Sequence, residues 1–522
     1  MFRYLHTKLF SGPGLSVVIT GTHIQVLDTR TGAVLRSTAN FTADDHDAVV
    51  KSGPICCTAI SHGRTYIATC GDDKHLKVWD LASLALLNSR ELPKKPTAVE
   101  FTTNDDILVA DKFGDVFRYS LLPKPEDTSE EPKNDALASH ENPSGGDLVL
   151  GHASLLTCCL LTPDEDFIIT SDRDEHIRVS WYPEGYVIEA YCLGHEKYVS
   201  AIHIPSFARG ILISGGGDPV LKVWDWMTGR LQRDICIFEA IEPFVTVKAP
   251  KPRRKSQEDG DDGGDAEDSK GKGRRKKKGK AKQDTPSNDT EGPSKAPETE
   301  TVVVVHRISS FVSDRGNHIV FSIVGATALF AFTLADGNDP SPICHFDCGC
   351  PVIDFTVAED GLIWILLDAD YAAKTGAESG DKLVRAVKWL TDKFVEADNL
   401  PLLESLNTTC TIPATLEDLK TLDLYADLTS LPKHIGEESG SQARDQSELP
   451  EGLDGASGEG TSVVDEKGLP KRTAGRLKHK LALQRLQQEK GSRADSEAPD
   501  VKRPRAETEE QADVLDTAMD ET

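Results

Sequence analysis

Four groups of residues in this chain have types and spacings that could do chemistry. His195, Ser214 and Asp218 supply the imidazole, hydroxyl and carboxylate of a nucleophilic acyl-transfer set. Such a nucleophile needs a strained strand-to-helix elbow of the form G-x-S-x-G, and Ser214 stands instead in the run ISGGGDP. With Trp224 the same residues fit a structural tetrad, a buried hydrogen-bonded chain in which each bond contributes about 0.5–1.5 kcal/mol net. Cys344, His345, Cys348 and Cys350 crowd together, but a zinc site takes paired knuckles with a fourth ligand held apart, so they read as a strand and turn with spare thiols. Gly215, Gly216 and Gly217 lack the continuation and the following helix of a dinucleotide loop. The fourth group is ionic: Asp172, Arg173, Asp174, Glu175 and His176, with Arg178 next. No catalytic residue, metal ligand or cofactor is expected from these patterns.

The elements that must hold these groups repeat along the chain. His152 and His195, each preceded by Gly, stand 43 residues apart, inside the roughly 40–45 of WD repeats. After Gly194-His195 come alternating apolar strands, a glycine-rich turn to Asp218 and a closing Trp224-Asp225, the content of one four-stranded blade. The run ICCTAISHGRTYIATCGDDKHLKVWDLASLALL closes at Trp79-Asp80, with Asp73 six residues before Trp79, the offset of Asp218 from Trp224. LSVVITGTHIQVLDTRTGAVL reads as a first blade and TAVEFTTNDDILVADKFGDVFRYSLL as a third. The fourth is LVLGHASLLTCCLLTPDEDFIITSDRDEHIRVSWYPEGYVI. A sixth runs from VVVVHRISSF to ALFAFTL, and PICHFDCGCPVIDFTVAEDGLIWILLDA is the seventh.

The expected fold is all-β, a seven-bladed WD40 β-propeller with a long disordered insertion and a disordered C-terminal tail. Blades 1–5 occupy residues 1–248, the insertion 249–300, blades 6 and 7 residues 301–395, and an ordered C-terminal segment 396–436. The tail, 437–522, holds one short basic helix-forming stretch, KRTAGRLKHKLALQRLQQEK, with Leu477 and Leu481 on one face. Its cations could touch an RNA backbone or stay free. Both polar tracts have too few apolar residues to offset the entropy of ordering.

A net charge of −26 excludes a surface that binds phosphate everywhere, so any contact with RNA must be local. The 11 cysteines include the adjacent pairs Cys56-Cys57 and Cys158-Cys159, in strand-like runs where neighbours point to opposite faces. They read as reduced core residues of a nuclear or cytosolic protein. The start MFRYLHTKLFSGPG shows no secretory pattern, and no apolar run is long enough to span a bilayer, so a soluble intracellular protein without membrane contact is expected.

The fourth unit departs from the others. Six residues on from Asp174 stands Ser180, where other units have Trp, and Trp181 follows. On charge alone this turn is a solvated one, since Lys77 and Lys222 hold the register of Arg178. The string SDRDEHIRVSWYPEGYVIEAYCLGHEKYVS, followed by LISGGGDPVLKVWDW, nevertheless resembles the signature of the non-catalytic WD-repeat subunit of tRNA (guanine-N7) methyltransferases. Generic WD repeats share the Gly-His and Trp-Asp pairs but not DRDEHIRVS. The resemblance implies a non-enzymatic scaffold that forms a heterodimer with a separate Rossmann-like catalytic subunit. That scaffold holds its partner active and helps present tRNA for methylation of a variable-loop guanine. It further implies that Arg178 faces the partner, with Asp172, Arg173, Glu175 and His176 as neighbours; a planar guanidinium fork suits bidentate grip of a carboxylate. Leu424-Tyr425, with Leu428 and Leu431, resembles the segment that ends the family's ordered region. The alternative is a general WD40 adaptor, such as a ubiquitin-ligase substrate receptor or a ribosome-assembly factor.

The insertion, an acidic block followed by a basic one, has no counterpart in that pattern. Its cations Lys272, Arg274, Arg275, Lys276, Lys277, Lys278, Lys280 and Lys282 fit an importin ligand, an auxiliary contact to tRNA phosphate or a solvated linker. The expected location is the nucleus.

Overall fold

The computed structural model describes residues 2–122, 142, 144–250, 299–334, 342–371 and 382–433. The basic block Lys272 to Lys282, the stretch carrying Leu477 and Leu481, and the whole 437–522 tail lie outside the described residues.

Seven four-stranded antiparallel sheets follow one another, each with its strands in chain order. The first strands of successive blades are His6–Phe10, Ile55–Ile60, Pro96–Phe101, Leu156–Leu161, Val199–His203, Val305–Ser313 and Val352–Val357. Second strands such as Phe167–Asp172 and Leu362–Leu367 are buried along their whole length, because neighbouring blades cover both faces. Outer strands such as Arg230–Cys236 alternate between exposed and partly covered positions. Blade 1 begins at His6–Phe10, upstream of the Leu15 where the sequence pattern starts. Asp147–Gly151 and Cys344–Asp347 are the outer strands of blades 3 and 6, so the repeat units read for blades 4 and 7 run one strand ahead of the sheets. In both places the outer strand of one blade runs directly into the next unit, through Gly151-His152 for blade 4 and through Cys348-Gly349-Cys350 for blade 7.

Each first strand carries a register shift near its start, as between Ile55 and Cys57, Leu156 and Cys158, and Val352 and Asp354. In blade 2 Cys56 is the extra residue of this bulge, so strict alternation fails there. Cys56 is exposed, which corrects its reading as a core residue, whereas Cys57 and Cys159 are half-buried and pack against the apolar cores between blades 2 and 3 and between blades 3 and 4, and Cys158 is half-buried; all 11 thiols are free. Cys348 and Cys350 are buried in the apolar layer between blades 6 and 7, and the His345 ring lies 4.5 Å from that of Phe244.

Blades 1 and 7 are each complete from contiguous chain, so the ring is closed by packing and by the segment after residue 396. Leu5, Leu9, Val18 and Leu27 of the first blade and Leu362, Trp364 and Leu366 of the last share one core with Leu402, Leu403 and Leu406 of the helix Pro401–Asn407. Polar bonds fix the register: the His6 ring meets Leu406 O (2.8 Å), Gln25 Nε2 donates to Cys410 O (2.8 Å), and Leu383 N donates to Asn407 Oδ1 (2.7 Å). Phe2–Arg3 then pairs antiparallel with Pro413–Ala414. Between blades 1 and 7 Lys8 Nζ lies 3.0 Å from Asp354 Oδ2, and Thr356 Oγ1 donates to Leu9 O (2.6 Å). Between blades 5 and 6, Ala249–Pro250 pairs with Thr299–Glu300 and so joins the two ends of the insertion.

Two outcomes follow. Leu406 is fully buried at the seam, and Leu406→Ala should cost about 2–5 kcal/mol, read as a lowered urea midpoint. Burial pulls the imidazoles of His6 and His203 from 6.5 down to about 4. Both are therefore neutral when folded and gain protons on unfolding across that window, so their contribution is complete above pH 6.5 and is lost as pH falls toward 4. Unfolding midpoints should decline over this range, and less steeply in His203→Gln; an equal slope in that variant contradicts the assignment.

Candidate partner-binding site on blade 4

The hydrogen-bonded chain of blade 5 sets the pattern against which blade 4 differs. Trp224 Nε1 donates to Ser214 Oγ (2.7 Å), the Ser214 hydroxyl meets His195 Nε2 (2.7 Å), and His195 Nδ1 meets Asp218 Oδ2 (2.5 Å). All of these side chains, Ser214 included, are buried. Gly216 is required in this turn, because a Cβ there would sit 1.9 Å from Tyr198 O.

In blade 4 the corresponding chain is shorter. His152 Nε2 meets Thr170 Oγ1 (2.7 Å) and His152 Nδ1 meets Asp172 Oδ2 (2.9 Å). Ser180 stands where the Trp would be, and its Oγ is buried without a hydrogen-bond partner among the described residues. The spacing rule points to Asp174 as the turn carboxylate, whereas Asp172 is the residue that binds the imidazole. Asp172 lies at the end of the strand Phe167–Asp172, and its second oxygen accepts from Asp174 N (2.8 Å) and His176 N (3.1 Å). Burial opposes its ionisation, but its bond to His152 and the further contacts from His152 and His176 hold the carboxyl below its usual range. Burial lowers the His152 imidazole from its usual range, with its bond to Asp172 opposing. One carboxylate thus anchors the blade and shapes the charged turn, in which Glu175 adopts φ of +70°.

Of the residues expected to meet a partner, Asp172 is therefore committed internally and only 4% exposed. Arg173 Nε donates to Leu431 O (3.2 Å), and Glu175 Oε1 accepts from Lys433 Nζ (2.5 Å), which also lies 3.5 Å from Asp174 Oδ1. His176 is exposed, 3.5 Å from Asp172. Arg178 is only 8% exposed; its Nη1 donates to Gly151 O (3.0 Å), while its Nε is buried with no acceptor among the described residues. Burial pulls the guanidinium below its usual range, with Tyr191 and Asp172 opposing, and no carboxylate of the described residues lies in ion-pair range. The equivalent Lys222 has one, Asp234 at 2.9 Å. Sequence reasoning missed Lys433 and Tyr191. Tyr191 is the strand partner of Arg178, and half-exposed apolar side chains accompany it on the same outer hairpin: Trp181, Val187 and Ile188, with Leu193 beyond.

Asp172→Asn, which keeps the shape and removes the charge, should cost about 1–3 kcal/mol in urea unfolding by weakening both the His152 bond and the turn. A midpoint equal to wild type would show that neither depends on the charge.

The family whose profile is described as "tRNA methyltransferase TRM82 WD40 domain" matches residues 39–146 and 133–386. The chain is 33% identical over 225 residues to the protein known in Eremothecium gossypii as tRNA (guanine-N(7)-)-methyltransferase non-catalytic subunit TRM82, covering 41% of this chain and 46% of that one. It is 36% identical over 246 residues to the subunit of the same name in Aspergillus oryzae, covering 37% and 49%. With the human non-catalytic subunit WDR4 it shares 35% identity over 202 residues, covering 38% and 44%. The matched part is thus a little under half the length of each of these relatives.

Proposed function

The chain belongs to the tRNA methyltransferase TRM82 WD40 family, and from that premise we propose that it is the non-catalytic scaffold subunit for N7-methylation of guanine in the tRNA variable loop. Its partner is the catalytic methyltransferase subunit, held in a heterodimer, and tRNA is reached through that complex. The observation that carries this reading is Arg178: a guanidinium fixed by Gly151, largely dehydrated, and lacking among the described residues the carboxylate that its counterpart Lys222 possesses. Dehydration is costly for an unpaired cation and strengthens any ion pair made at that place. A carboxylate of the catalytic subunit would complete the site, and the half-exposed hairpin around Trp181 and Tyr191 would supply apolar contact beside it. The blade's role is positional: a prefolded surface lowers the entropy that the partner's loops lose on docking. On the same reading the basic block Lys272 to Lys282 serves entry into the nucleus through an importin-type receptor.

Arg178→Glu should weaken association with the catalytic subunit by about 2–5 kcal/mol and reduce tRNA methylation in proportion. Arg178→Met, which keeps the aliphatic stem packed, should fold with a melting temperature near wild type and still lose affinity. Copurification and methylation of unmodified tRNA at wild-type levels by both variants would overturn the assignment.

A further inference from the structure

The charged turn of blade 4 is already occupied by this chain's own C-terminal strap. Tyr425 Oη donates to Asp368 Oδ2 of blade 7 (2.7 Å), and the short helix Asp427–Ser430 follows. Leu428 and Leu431 are buried against Tyr198 of blade 5 and Val304 and Val324 of blade 6. The strap then reaches blade 4, where Arg173 holds Leu431 O and Lys433 bridges Glu175 and Asp174. The two ends of this run differ in kind. The leucines are 3% and 5% exposed, whereas the side chains of Lys433 and Glu175 are 30% and 34% exposed and that of Asp174 is 45%. The apolar part is an anchor, and the ionic end is a solvent-screened pair of the kind that breaks readily.

Lys433 also borders a cleft of about 430 Å³ whose other walls include Glu175, Glu196, Glu300, Lys197 and Phe238. The carboxylates of Glu196 and Glu300 have no ion pair among the described residues, so the cleft holds more acid than base even with Lys433 in place.

We propose that Lys433 is a built-in competitor, occupying in the free chain the Asp174 and Glu175 carboxylates that a basic side chain of the catalytic subunit takes on docking. Partner binding displaces the end of the strap and leaves Leu428 and Leu431 seated. The inference rests on the reading of blade 4 as the partner surface. A competent surface that is partly occupied lowers apparent affinity by the occupied fraction.

The test is titration of the full chain with purified tRNA (guanine-N7) methyltransferase catalytic subunit, comparing wild type, Lys433→Ala and Lys433→Arg at low and high salt. Lys433→Ala should bind roughly two- to fivefold tighter at low salt, with the gain shrinking as salt rises, and Lys433→Arg should match wild type. Melting temperatures check that the surface change leaves the fold intact. Wild-type association that Lys433→Ala leaves unchanged or weakens overturns the competition and spares the partner reading. If wild type and both variants alike fail to associate, the partner reading itself falls, and the competition with it.

Discussion

A ring of radial sheets depends on the meeting of its first and last members, because each blade has its apolar faces covered by its neighbours and not by itself. Here that meeting involves residues about as far apart in sequence as the described chain allows. Among the described residues no strand is exchanged between blades 1 and 7. The seam is instead a core of leucines from both blades and from Pro401–Asn407, registered by His6, Gln25 and Asn407 through backbone carbonyls and amides. These bonds are local in space and non-local in sequence, with His6 and Leu406 separated by 400 positions. The seam also sets where the strap starts. Having served closure beside blade 1, the chain runs past blade 7 and packs on blades 5 and 6 to reach the charged turn. The contact with blade 4 is thus downstream of closure both in the chain and in its energetics.

Asp172 links the interior of blade 4 to its surface. One oxygen serves the imidazole of His152 and the other holds two amides of the turn, so the backbone that displays Arg173, Glu175 and His176 is braced from within the sheet. Arg178 leaves the same hairpin in a fixed direction because Gly151, on the neighbouring outer strand, accepts from it. A scaffold that acts by position needs this kind of support more than it needs reactive groups.

Much of the ring was legible in the sequence because blade chemistry is local: Gly-His before the first strand, an Asp turn, Trp-Asp at the end of the third. The misses have physical causes. HTKLF, the first strand of blade 1, is not preceded by Gly-His and mixes polar with apolar residues, so nothing marks it. Asp172 took the role that spacing gives to Asp174, since without a Trp at Ser180 the six-residue offset has no fixed end to count from. Cys56 looks like core until the bulge that turns it outward is known. Leu428 and Leu431 were visible as an apolar pair, but the pairing of Lys433 with Glu175 spans 258 residues and leaves no trace in local pattern.

The strand pair that joins Ala249–Pro250 to Thr299–Glu300 has a consequence for how such a chain can change over time. With both ends of residues 251–298 clamped side by side, the propeller meets that stretch as a closed junction, whatever its length. The entropy of closing a chain between two fixed ends grows only with the logarithm of its length, about 0.6 kcal/mol per doubling. Blades 5 and 6 are therefore insulated from insertions and deletions between them, and the junction is a port at which new sequence can be added while the ring keeps its geometry.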